Sequence, residues 1–118
     1  MTGLAVVICT KDRPAELTRA IASVRASGEV GRKAEIVVVE EADEPHAIPE
    51  VRYVYLPREG HGFGYARNVG VREAQGEIIL FIDDDCVAEE GWAEALVEPF
   101  RTDPCVLGVA GAVLVKDC

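Results

Sequence analysis

Three short, mostly apolar runs dominate this sequence: Leu4 to Cys9 (LAVVIC), Ala34 to Val39 (AEIVVV) and Glu77 to Ile82 (EIILFI). Each is too short for a buried helix and rich in β-branched residues. Runs of this kind are strands covered on both faces, the pattern of a parallel sheet rather than a half-solvated one. Between them lie stretches of helical period. After the first run, Leu17, Ala20, Ile21 and Val24 recur at helical spacing. Pro14 suits the first helical turn, Asp12 is the candidate cap, and the helix should stop near Gly28. Phe63 to Gln75 reads as a second helix with Ala66, Val69, Gly70 and Ala74 on its packing face, and Gly70 marks a close approach to the sheet. A third helix is expected around Ala88 to Phe100, where Trp92, Leu96 and Phe100 recur every fourth residue. Val51 to Leu56 (VRYVYL) alternates weakly and reads as a more exposed strand. Val106 to Val115 reads as one or two further strands.

Strands alternating with helices imply an α/β fold: a mainly parallel, twisted sheet with flanking helices. Ligands bind such sheets at the carboxyl ends of the strands. Three strand ends carry polar clusters, Thr10 to Arg13, Glu40 to Glu44 and Asp83 to Asp85, and the topology should bring them to one rim.

Composition narrows the function classes. The 118 residues are 49% apolar and 28% charged, one domain's worth of chain with an ordinary core. Twelve Lys and Arg against 21 Asp and Glu give a net charge of -9, and no basic stripe is present to follow a phosphate backbone, which argues against nucleic-acid binding. An acidic chain that binds an anion needs local arginines or a metal ion. No apolar run approaches the roughly 20 residues of a membrane helix. Met1-Thr2-Gly3 leads straight into a strand without a basic leader, so the expected location is cytoplasmic, with any contact to the inner face of a membrane made through parts outside this sequence. Cys9, Cys86, Cys105 and Cys118 form no C-x-x-C pair and read as free thiols.

Asp83, Asp84 and Asp85 repel one another at a strand end, and a divalent cation relieves the repulsion. Hard carboxylate oxygens suit Mg²⁺ or Mn²⁺, held by one or two carboxylates together with substrate phosphates. The competing reading is an acidic turn that caps the next helix. Arg67, near the start of the second helix, can grip a diphosphate. His61 lies in a glycine-rich loop and reads as solvated. Gly60, Gly62 and Gly64 do not make G-x-G-x-x-G, because Tyr65 and Arg67 occupy the positions a third glycine needs, and no Walker A sequence occurs. A dehalogenase-type phosphatase would place its nucleophilic aspartate after the first strand, whereas the triplet here comes late.

VVICTKDRP (6–14), EIVVVEE (35–41), GFGYARNVG (62–70) and GEIILFIDDD (76–85) stand in the order found in family 2 glycosyltransferases of the GT-A, Rossmann-like fold, which this chain resembles over nearly its whole length. The resemblance implies an inverting transfer of sugar from a nucleotide-diphospho-sugar donor to an acceptor hydroxyl, with Mg²⁺ or Mn²⁺. The donor expected first is a UDP-sugar, with GDP- and dTDP-sugars as alternatives. It implies that Thr10, Asp12 and Arg13 line the nucleotide base and that Glu40 and Glu41 stand where the family has a base-reading Asp pair. It places Arg67 near the base and phosphates. Asp83 to Asp85 matches the D-x-D motif, with Asp85 as metal ligand, Asp83 as its companion, and Asp83 or Asp84 on the ribose. The family's general base, an acidic residue in the acceptor half, is expected beyond Cys118. Residues 1–118 are thus expected to be the donor-binding half of a truncated GT-A domain. The alternative is a non-catalytic nucleotide-sugar binding module.

Overall fold

The computed structural model describes residues 3–103 and 105. In chain order the elements are β1 (Leu4–Lys11), α1 (Pro14–Ala26), α2 (Glu29–Lys33), β2 (Glu35–Ala42), β3 (Arg52–Pro57), α3 (Gly62–Glu73), β4 (Ile78–Phe81) and α4 (Trp92–Thr102). The four strands form one all-parallel sheet in the order β3-β2-β1-β4. The architecture is the expected α/β one. The stretch Val106 to Val115, read as strand, lies outside the described residues, as does Cys118.

The apolar runs find their reason in the two faces of the sheet. Val6, Ile8, Ile36 and Val38 point to one face, where Leu17 and Val24 of α1 and Ala93 and Val97 of α4 cover them. Val7, Cys9, Val37 and Val39 point to the other, where Ala66 and Val69 of α3 close over them. Val6, Val7, Ile8, Val37 and Val38 are all within 1% of full burial, and each such side chain stabilises the fold by about 1.5–3 kcal/mol relative to exposure. β3, an edge strand, stays half-buried, in line with its weak alternation. Gly70 makes the close approach its sequence position suggested: a Cβ there would sit 2.5 Å from Val7 Cγ1 and 3.4 Å from Val39 Cγ2.

Local chemistry moved several boundaries. β1 continues to Lys11 and β2 to Ala42, so Glu40 and Glu41 lie within a strand rather than after one. Asp12 does not cap α1. The residue before the helix is Arg13, the helix start has no side-chain cap, and Asp12 stands at φ 58 with its carboxylate turned to Arg58. α4 begins at Trp92, not near Ala88, after Gly91 in the left-handed conformation. The short helix α2 has no apolar periodicity that would announce it.

The connectivity sets where a ligand can bind. From β1 the chain steps outward to β2 and β3, then returns to place β4 on the other side of β1. α1 covers one face and α3 the other. The loops leaving β1 and β4 therefore diverge, which opens a crevice at the carboxyl end of these two strands.

Candidate functional site

A pocket of about 220 Å³ occupies that crevice. Its apolar floor is Val7, Cys9, Phe81 and Ile82, and its charged wall is Arg13, Arg67, Asp83, Asp84 and Asp85. Alternation along β1 puts Val7 and Cys9 on the α3 face, and α3 carries Arg67 over the same floor. Arg67 sits in the second turn of α3, so the packing of Ala66, Val69 and Gly70 on the sheet aims it, rather than the helix start.

The three aspartates separate into distinct roles. Asp84 turns inward and is 5% exposed. Its Oδ2 accepts a hydrogen bond from Thr10 Oγ1 at 2.8 Å, and its Oδ1 lies 3.5 Å from Arg13 Nη1. It latches the loop after β4 to the end of β1. Asp83 and Asp85 turn outward, with side chains 65% and 54% exposed. Arg13 Nη1 stands 3.1 Å from Asp85 Oδ2, and Arg67 Nη2 stands 3.5 Å from Asp83 Oδ1.

Asp83, Asp85 and Cys86 bring one ligand atom each within 4.8 Å of one another. Partial burial, and then the charges of Asp85 and Asp83, push the Cys86 thiol up, and its soft sulfur is a poor match for a cation that prefers hard oxygen donors. What remains is a pair of hard carboxylates with an open side toward the pocket. That donor set fits Mg²⁺ or Mn²⁺ completed by phosphate oxygens, and it does not fit a closed all-protein cage. Burial likewise raises Cys9 to about 11 against the lowering pull of Arg67, so the pocket floor is a neutral thiol.

The remaining predicted residues stand on the same rim but outside the pocket. Glu40 and Glu41 pair in register with Thr10 and Lys11 and point to opposite faces. Glu41, on the α3 face, is 8% exposed and meets Lys11 Nζ at 3.1 Å, an ion pair without hydrogen-bond geometry that leaves Oε2 unbonded among the described residues. Glu40, on the α1 face, accepts from Tyr53 Oη at 2.5 Å and pairs with His46 Nδ1 at 2.6 Å. His46 N–H in turn donates to Tyr53 Oη at 3.1 Å. The Glu40 carboxylate raises His46, and burial followed by the same carboxylate raises Tyr53 to about 12. Asp12 is held bidentately by Arg58.

The structure thus brings Arg13, Arg67, Asp83, Asp84 and Asp85 together, with Thr10 behind Asp84. Asp12, Glu40 and Glu41 do not line the pocket. Sequence reasoning missed Val7, Cys9, Phe81 and Ile82 as its floor, although Cys9 and Ile82 close apolar runs next to a polar cluster. It also missed Arg58, His46 and Tyr53, whose partners lie outside their own element or loop. His61 stacks on Tyr65 at 4.2 Å between centroids and meets Glu59 at 2.9 Å, a surface arrangement.

The fold has counterparts. A crystal structure of S. aureus TarS 1–349 superposes with a TM-score of 0.69 at 21% identity, covering 84% of this chain and 33% of that one. Complexes of the same TarS fragment with UDP and with UDP-GlcNAc each superpose at 0.68. Among curated proteins, the glucosyl-dolichyl phosphate glucuronosyltransferase of Haloferax volcanii is 36% identical over 56 residues, 48% of this chain and 18% of its own length. The probable N-acetylgalactosaminyltransferase 9 of Caenorhabditis elegans is 27% identical over 104 residues, 79% of this chain and 18% of its own. The chain therefore spans about a fifth of these curated relatives and a third of the TarS fragment. No helix among the described residues is long and apolar enough to cross a membrane. The glycosyl transferase family 2 model matches residues 5–117. With that match over the elements that build the pocket, the chain belongs to glycosyl transferase family 2.

Proposed function

We propose that residues 1–118 are the donor-binding half of an inverting glycosyltransferase that uses a nucleotide-diphospho-sugar, with a UDP-sugar as the first candidate. One observation carries the reading: two arginines and two outward carboxylates converge on a single pocket at the β1/β4 switch point. Such a wall suits a diphosphate bridged to the protein by a cation, and the complexes of the TarS relative with UDP and UDP-GlcNAc support that class of ligand.

In this reading Asp85, with Asp83 beside it, holds Mg²⁺ or Mn²⁺. The bound ion supplies neutralisation of charge on the departing nucleoside diphosphate. Arg67 binds the same phosphates from the α3 side, where a charge-assisted hydrogen bond is strongest against an anion. Asp83 also reaches the ribose. Asp84 takes no part in contacting the donor, because Thr10 and Arg13 already engage it, and it keeps the loop of Asp83 and Asp85 in place. Glu41 is the better placed of the two glutamates to meet a base, since it lies on the pocket's face of the sheet. The neutral Cys9 floor lets an apolar ring approach without a charge to desolvate. The acceptor hydroxyl loses its proton to a general base that this reading assigns to residues after Cys118.

A thermal-shift screen of UDP, GDP, dTDP and CDP, each with and without Mn²⁺, tests the proposal. A ligand bound only by the folded state raises Tm. UDP with Mn²⁺ should raise it more than either alone. If no nucleotide shifts Tm under any condition, the donor-site reading fails.

A further inference from the structure

Arg58 follows β3, and every guanidinium nitrogen is committed to a carboxylate from another element. Nη1 and Nη2 donate to Asp12 Oδ2 and Oδ1 at 2.8 and 2.7 Å, and Nε donates to Asp43 Oδ1 at 2.8 Å. One side chain therefore ties together the turn after β1, the loop after β2 and the end of β3. The turn it holds is an unusual one. Asp12 stands at φ 58, a region that non-glycine residues rarely occupy. Arg13 comes next, and it crosses the pocket mouth to Asp85 at 3.1 Å and Asp84 at 3.5 Å. The start of α1 has no side-chain cap to fix the backbone there. With its side chain 49% exposed, Arg13 depends on that backbone to keep its direction.

We infer that Arg58 is a positioning residue. It holds Asp12 in the left-handed conformation and so aims Arg13 at Asp84 and Asp85. The inference rests on the donor-site reading above. Coulomb attraction is not the substance of it, because the Asp12 side chain is 60% exposed and such pairs are well screened. The substance is shape: a rigid planar fork grips two carboxylates in fixed directions, which a lysine ammonium cannot do.

The test uses Arg58→Gln, Arg58→Lys, Arg13→Gln and the Arg58→Gln/Arg13→Gln pair on the full chain. UDP with Mn²⁺ is titrated by calorimetry, and amide hydrogen exchange is followed at residues 11–13. Arg13→Gln should weaken UDP about tenfold, the loss of one cation from the pocket wall that faces the diphosphate. Arg58→Gln should weaken it about three- to tenfold and speed exchange at residues 11–13. The double variant should bind no more weakly than Arg13→Gln alone, because Arg58 acts through Arg13. Arg58→Lys should fail to restore affinity. If Arg58→Gln does not fold, Asp12→Ala removes the same contact from its other end. Additive losses, or wild-type affinity in Arg58→Lys, overturn the positioning role and leave the donor site standing. If the wild-type chain binds no UDP, the donor-site reading falls and exchange alone judges the clamp: unchanged rates at residues 11–13 in Arg58→Gln overturn it, and faster rates uphold it.

Discussion

Replacing Thr10 with valine removes one hydroxyl and keeps the shape of the side chain. Thr10 and Asp84 are 3% and 5% exposed, and their hydrogen bond of 2.8 Å joins residues 74 apart in sequence. In Thr10→Val, the nearly buried Asp84 Oδ2 loses its donor. Arg13 stands 3.5 Å from the other oxygen, too far to make up the loss. A hydrogen bond to a charged group contributes about 1.5–3 kcal/mol net, and a buried acceptor left bare costs in the same range. Valine suits a strand as well as threonine does, so propensity offsets little of this. The expected loss is about 2 kcal/mol, or roughly 6–12 °C in Tm for a domain of this size. Urea unfolding should show a lower midpoint with an unchanged slope. In an Asp84→Asn background the same substitution should cost less, because the charge that made the bond strong is gone. A loss below about 0.5 kcal/mol, or an equal loss in both backgrounds, would refute the latch.

Gly70→Ala should destabilise the chain by about 1–2 kcal/mol in thermal unfolding, since the clash with Val7 outweighs alanine's better helix propensity. The His46–Glu40 contact should be pH-sensitive. The carboxylate raises His46 above its ordinary 6.5, so the contact contributes fully below that value and is lost as pH rises through the raised folded value. Exchange in the loop of residues 43–51 should therefore quicken with pH above 6.5 by more than base catalysis accounts for, and the excess should vanish in His46→Gln.

β1 and β2 were legible because their burial on both faces leaves a dense apolar record in the sequence, and Gly70 because a glycine on a helix's packing face has few other uses. Much of what was hidden rests on pairing between polar groups of different elements. Asp12 looked like a helix cap until Arg58, from the end of β3, claimed it. Glu40 and Glu41 looked like the end of a strand, yet the strand continues through them in register with β1 and β3, while His46 and Tyr53 engage one side chain and Lys11 the other. The triplet pointed to a metal, but three identical letters do not say that Asp84 turns inward while Asp83 and Asp85 turn out. That division depends on Thr10 and Arg13 arriving from β1. The short α2 lacked periodicity, and Gly91, not an apolar residue, set where α4 begins.

Cooperative binding of Mn²⁺ and UDP, compared between the wild-type chain and Asp85→Asn, tests the central claim most directly. A cation held by one or two carboxylates keeps several waters, so the protein alone should bind Mn²⁺ weakly, and the diphosphate should supply the missing oxygens. Metal and nucleotide must then strengthen each other by the same factor. Calorimetric titration of UDP and of uridine, with and without Mn²⁺, should show strong metal enhancement for UDP in the wild type and none for uridine. Asp85→Asn should abolish that enhancement and leave uridine binding nearly unchanged. Full Mn²⁺ enhancement in Asp85→Asn would contradict the account and leave Asp83 to Asp85 as an acidic turn.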